Sequence, residues 1–130
     1  MAPAPPPAQP ARRRTLIGRT DADVVAMMYA ERWRQRVEFN APLDILKQAK
    51  TGPYENPVVT VSLRSDGTVE AVTINRSSGS PEIDNAVRRI VMMLAPYAPF
   101  PNDLALDYDV LEIRRVWSFE TAVRLFSGGR

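Results

Sequence analysis

The chain contains no cysteine and no histidine. Without cysteine there is no disulfide and no thiolate metal site, which suits the cytosol and equally a secreted domain that folds without staples. Without histidine, a Ser-His-Asp triad, a histidine zinc site and an imidazole proton shuttle are all excluded. There is no run of about 18 apolar residues that could cross a membrane as a helix, and no basic-then-apolar leader opens the sequence. Charge of one sign is lacking too. Lys and Arg number 17 against 15 Asp and Glu, and a net charge of +2 is a weak basis for binding nucleic acid. What remains is a 130-residue chain, 45% hydrophobic, of a size for one globular domain.

Proline is plentiful, and five of the 12 prolines fall within residues 1–11. Proline holds the backbone near polyproline II, at about 3.1 Å per residue, so residues 1–19 read as a disordered Pro-rich linker that sets distance. Arg12, Arg13 and Arg14 read as solvated charge within it. Met1 running straight into this spacer suggests a piece of a longer protein, with any anchor upstream. Residues 20–120 read as the domain and 121–130 as a flexible tail.

The domain opens with a helix expected over residues 20–39, capped by Thr20 or Asp21. Val25, Tyr29, Trp33 and Val37 form its apolar stripe, with Met28 alongside. Asn40-Ala41-Pro42 stops it, because the residue before proline avoids helical geometry. Leu43, Ile45, Leu46 and Ala49 suggest a short helical turn, and Thr51-Gly52-Pro53 and Asn56-Pro57 mark a loop. Val59, Val61 and Leu63 then alternate with Thr60 and Ser62 as a half-buried strand. Ser65-Asp66-Gly67 is a hairpin turn in which Gly67 supplies a positive φ. In the return strand, Val69, Val72 and Ile74 break the period of two, and a β-bulge near Glu70-Ala71 restores it.

Ser80 caps the next helix and Pro81 is its first residue. Ile83, Ala86, Val87, Ile90, Val91 and Leu94 follow helical spacing on one face. Pro96 to Pro101 form a rigid aromatic-bearing crossover, and residues 102–108 read as polar loop. Leu111, Ile113, Trp117 and Phe119 share one face of the last strand; Glu112, Arg114, Val116 and Ser118 take the other. Arg115 falls on the apolar side and is expected at the sheet margin, its stem packed and its head in water. A right-handed crossover makes this strand parallel to the second strand and places it beside the first. The fold class is therefore α+β in two layers: a three-stranded antiparallel/mixed sheet, order 2-1-3, packed with two helices. The last strand would be an open edge, a template for strand addition.

Little in the chain suggests catalysis. Asp103, Asp107 and Asp109 lack the ordered oxygens of a calcium loop. Ser77-Ser78-Gly79-Ser80 could cradle an anion at a helix start, but capping explains it. Neither Ser77 nor Ser78 has a histidine or nearby lysine to activate it. No enzyme activity, cofactor or metal is expected.

Residues from about Trp33 to Phe119 resemble the C-terminal domain of TonB energy transducers and their TolA-like relatives. The resemblance is carried by Ser65-Asp66-Gly67-Thr68-Val69, by Val72-Thr73-Ile74 followed by Ser77-Ser78-Gly79, and by Ile83-Asp84-Asn85-Ala86. Pro99-Phe100-Pro101, Leu111-Glu112-Ile113 and Trp117-Ser118-Phe119 complete it. It implies a TonB C-terminal-like fold in the periplasm, part of a protein anchored in the inner membrane. It also implies coupling of proton motive force, through ExbB–ExbD, to active transport by outer-membrane receptors. The implied contact is a receptor segment, the TonB box, added as a strand beside Val110, Leu111, Glu112, Ile113, Arg114, Arg115, Val116, Trp117 and Ser118. A weaker contact is implied at Asn40, Ala41 and Pro42, where the family often carries Tyr-Pro and this chain has no tyrosine. A strand-exchanged homodimer is a further implied state. The alternatives are a TolA-like or other TonB-related domain for envelope integrity or secretion, and an RNA-binding split βαβ domain.

Overall fold

A hairpin with matched apolar faces starts the sheet. The computed structural model describes residues 10–18, 21–50, 52–120 and 122–127. Within it, β2 (Val58–Arg64) pairs antiparallel with β3 (Val69–Arg76). Val59, Val61 and Leu63 face Ile74, Val72 and Val69 across the ladder. That register skips Glu70, so the bulge expected from parity is present; a second irregularity skips Asn75. Skipping Glu70 keeps Val69 on the same face as Val72 and Ile74.

β4 (Val110–Ser118) pairs antiparallel with the other side of β2, which gives the expected order β3-β2-β4. The core face of β4 carries Leu111, Ile113 and Trp117, with Phe119 just past its end, all fully buried. Two further strands extend the sheet beyond the three expected: β1 (Arg13–Leu16) and β5 (Arg124–Phe126). Both lie in stretches that the sequence suggested were linker and tail.

The described residues also hold four helices rather than two: α1 (Val24–Asn40), α2 (Leu43–Ala49), α3 (Pro81–Leu94) and α4 (Asn102–Asp107). Asp23 caps α1 by accepting from Ala26 N at 3.0 Å, a role expected of Thr20 or Asp21. Thr20 lies outside the described residues, and Asp21 instead accepts from Asp23 N at 2.8 Å. The buried stripe of α1 is Ala26, Tyr29, Ala30, Trp33 and Val37. Met28 is 56% exposed, because the small alanines let the helix approach on their side of the aromatic row. α2 was legible only as a turn. α4 was read as loop because a single helical turn has no periodicity to detect; its one buried residue is Leu104.

α3 follows its sequence closely. Ser80 Oγ accepts from Ile83 N at 3.3 Å, and Ile83, Ala86, Val87, Ile90 and Val91 are buried. The preceding loop is locked from within. Asp84 accepts from Ser77 Oγ at 2.5 Å, Ser78 Oγ at 2.7 Å and Ser78 N at 3.0 Å. Burial pushes the Asp84 carboxyl up, but these hydrogen bonds outweigh it and its pKa is lowered. The serines thus serve the helix start.

The Pro-aromatic crossover ties the layers together. Tyr29 donates to Ala98 O at 2.6 Å, and Tyr97 donates to Val91 O at 2.7 Å. Tyr29 and Phe100 meet edge to face at 4.9 Å. Burial raises the Tyr29 phenol to about 12, so it stays a donor at any physiological pH. The hairpin turn docks on the same segment, with Tyr97 N donating to Gly67 O and Phe100 N to Ser65 O, both at 2.8 Å. Gly67 has φ +88°, and a Cβ there would lie 2.0 Å from Tyr97 O. Gly67→Ala is therefore expected to destabilise the fold by at least about 1–3 kcal/mol, the usual cost of such backbone strain. Urea unfolding checks this: an unchanged midpoint would mean the turn can move away from the crossover without loss.

Candidate functional site

A strand with two edges needs two sets of backbone partners. For β4, β2 supplies one set along residues 110–116. The other edge, expected to be open, is occupied. β1 lies on it in parallel, Arg13 opposite Val110 through Leu16 opposite Ile113. β5 lies on it antiparallel, Val116 opposite Phe126 through Ser118 opposite Arg124. Between the two occupants come Arg114 and Arg115, which neither strand pairs. The open-edge expectation for Val110–Ser118 is corrected accordingly: segments remote in sequence pair with it.

Side-chain chemistry explains why residues 12–16 dock despite their polarity. Arg12 donates from its backbone N to Asp109 Oδ2 at 2.8 Å and pairs with Asp109 Oδ1 at 3.0 Å. Its carbonyl accepts from Asp109 N at 2.8 Å and Val110 N at 3.1 Å. Arg13 forks onto both oxygens of Glu70, at 2.7 and 2.8 Å, and lies 3.5 Å from Glu112. Arg14 pairs with Asp21, donates to Tyr108 Oη at 3.2 Å and sits 5.9 Å from the centre of that ring. Thr15 Oγ1 donates to Glu112 Oε1 at 2.8 Å. Leu16 is the apolar anchor, fully buried in the core cluster. The arginine run read as solvated charge is thus paired charge.

These contacts leave a mark on protonation. The Arg12 guanidinium holds Asp109 below its ordinary 3.8, and Arg13 holds Glu70 below its ordinary 4.5. Arg14 lowers Asp21, with help from the Asp23 amide.

Arg115 closes the gap between the occupants. Its side chain is buried with the rest of the core face, not directed to water as expected. The guanidinium donates to Leu16 O at 3.2 Å, Ile17 O at 3.5 Å and its own strand's Arg114 O at 2.7 Å. It therefore caps the carbonyls at the end of β1, and burial lowers its pKa. Beyond it opens a cleft of about 700 Å³ between α1 and β5, bordered by Glu31, Arg34, Glu38, Arg115 and Arg124. Glu38 holds β5 there, accepting from Leu125 N at 3.0 Å and pairing with Arg124 at 3.2 Å and Arg34 at 2.8 Å.

Not every residue of the expected site belongs to this edge. Asn40, Ala41 and Pro42 sit at the α1–α2 joint, where Asn40 Nδ2 donates to Arg36 O at 2.8 Å and Ala41 N to Val37 O at 2.9 Å. Sequence reasoning missed Arg13, Leu16, Glu38 and Asp109. Alternation of Val123 and Leu125 with Arg124 could have revealed β5, since both apolar residues are buried. Nothing comparable marks β1, whose anchors lie up to 99 positions away.

The family model described as Gram-negative bacterial TonB protein C-terminal matches residues 45–121, over half of the chain. No curated protein and no solved structure matches it. β1 and β5, the two occupants of the β4 edge, both lie outside the matched residues.

Two outcomes are expected. Arg115→Glu would set a carboxylate against carbonyl oxygens and lower stability by more than about 2 kcal/mol; an unchanged urea midpoint would show that the side chain reaches water. Asp109 and Glu70, which bind Arg12 and Arg13, have depressed folded-state pKa values, so their contribution is present at neutral pH. It begins to fall below pH 3.8–4.5 and is lost as pH passes through the depressed values. Amide exchange across an acid titration should show Val110 and Glu112, whose N–H groups point toward β1, losing protection before β2; loss in the opposite order would contradict it.

Proposed function

Because the chain belongs to the Gram-negative bacterial TonB C-terminal family, we propose that it binds the TonB box of outer-membrane receptors by strand addition along β4. Family membership carries the coarser part: a TonB-like energy-transducer domain, from a family of binding rather than catalytic modules. The finer part is our reading. The domain works in the periplasm as part of an inner-membrane-anchored protein. It links proton motive force, harvested by ExbB–ExbD, to transport through the receptor.

One observation supports this reading above the others. The outer edge of β4 is filled piecemeal, by a four-residue strand in one direction and a three-residue strand in the other. An edge that accepts strands of either direction through its main chain is suited to an added peptide. On the other edge, β2 pairs with β4 from Val110 to Val116 and sets its register from that side. A partner strand along β4 would form several main-chain hydrogen bonds in parallel, each worth about 0.5–1.5 kcal/mol net. Loaded together in shear, they can pass a pull to a receptor while the equilibrium affinity stays modest.

Titration of the isotopically labelled chain with short peptides from receptor N-terminal segments tests this. Amide shifts should concentrate on Val110–Ser118 and on the displaced β1 or β5. Absence of shifts there at about 1 mM peptide, an affinity floor near −4 kcal/mol, would sink the receptor reading and favour a TolA-like partner. Shifts confined to the outer side of β3 would move the site to the opposite edge of the sheet.

A further inference from the structure

β1 does more than cover an edge; its chemistry describes what the edge prefers. Three carboxylates from the body of the domain meet it: Asp109 and Glu112 on or beside β4, and Glu70 in the bulge of β3. Glu70 occupies the position that the bulge skips, and from there it reaches Arg13. Beneath them lies the site filled by Leu16, closed to solvent. Successive strand residues face opposite sides of a sheet. Arg13 and Thr15 accordingly meet the carboxylates on the outer face, while Leu16 enters the core beside Ile113. With β1 lifted away, the edge would present unpaired main chain, an acidic border and one aliphatic socket.

We propose that β1 is a built-in occupant of the partner site, and that the site selects an extended cationic segment. That segment runs parallel to β4, with a basic residue where Arg13 lies and an aliphatic residue three positions later, where Leu16 lies. The inference rests on the reading of β4 as the partner-binding edge and adds direction, charge and register to it. The balance is suited to exchange. Arg12 and Asp109 have side chains 51% and 49% exposed, and Arg13 is 40% exposed. Such ion pairs are screened by salt and form and break readily. One leucine holds the rest. A competing strand with the same pattern replaces like with like.

The test uses the full chain and a synthetic peptide with the sequence of residues 11–18, Ala-Arg-Arg-Arg-Thr-Leu-Ile-Gly. The double variant Arg12→Glu/Arg13→Glu turns the ion pairs into repulsions without touching the core. In it, the amides of Val110 and Glu112, which point toward β1, should exchange faster while those of Leu111 and Ile113, which point toward β2, and those of β2 and α3 stay protected. The peptide should bind this variant at least tenfold more tightly than the wild-type chain and restore protection. A peptide with Glu in place of its Arg13-equivalent should bind at least tenfold more weakly, and raising the salt should narrow that gap.

Leu16→Ala provides a second route to release, should the charge variant aggregate or fail to fold. Unchanged protection of Val110 and Glu112 in both variants would overturn the proposal. Equal binding of the parent and charge-reversed peptides, or equal binding to wild type and variant, would do so too. The outcome separates from that of the receptor experiment. Receptor peptides binding β4 while the 11–18 peptide fails would sink this inference alone. The 11–18 peptide binding while every receptor peptide fails would sink the receptor reading and leave the edge preference standing.

Discussion

The outer row of N–H and C=O groups on β4 is the constraint around which the domain is arranged. One face of this strand is buried and one edge is paired with β2, so the far edge decides how the domain meets its surroundings. An unpaired edge of nine residues next to a packed core invites association. This chain covers most of it with two short strands and closes the remaining gap with the guanidinium of Arg115. Arg115 is the hinge of that solution. It satisfies carbonyls where β1 leaves the sheet, and does so from the core face, where a charged group is tolerated only because oxygen atoms meet it.

The rest of the fold supplies a rigid back to that edge. The bulge at Glu70 keeps Val69 and Val72 on the core face and aims a carboxylate toward Arg13, so one irregularity serves both packing and edge chemistry. The crossover from Tyr97 to Phe100 is bonded to α1, α3 and the hairpin turn, which fixes where β4 begins. α1 reaches the edge from the other side through Glu38, which holds β5. Attachment differs between the layers. β2, β3 and α3 are joined by buried aliphatic side chains, whereas β1 is joined chiefly by partly exposed ion pairs. The first kind of contact resists salt and acid; the second does not. β1 is therefore the part of the sheet most easily exchanged, and the family match, which begins at residue 45 and ends at residue 121, excludes both occupants.

Sequence alone determined the parts of this protein whose signals are local and periodic. The hairpin, its glycine turn and its first bulge could be read from apolar parity. The capped helix α3 could be read from helical spacing, and the order β3-β2-β4 from the handedness of the crossover. The family resemblance rested on those same elements. Tertiary structure alone decided the edge. Arg13-Arg14-Thr15-Leu16 has neither alternation nor strong strand propensity, and it becomes a strand because Asp109, Glu112 and Glu70 are waiting for it. Arg115 reads as a surface residue until the carbonyls of Leu16 and Ile17 arrive above it. The physical reason is common to both. Periodic burial is written into neighbouring residues, but a charge finds its counter-charge, and a backbone edge its partner, only after segments remote in sequence have been brought together.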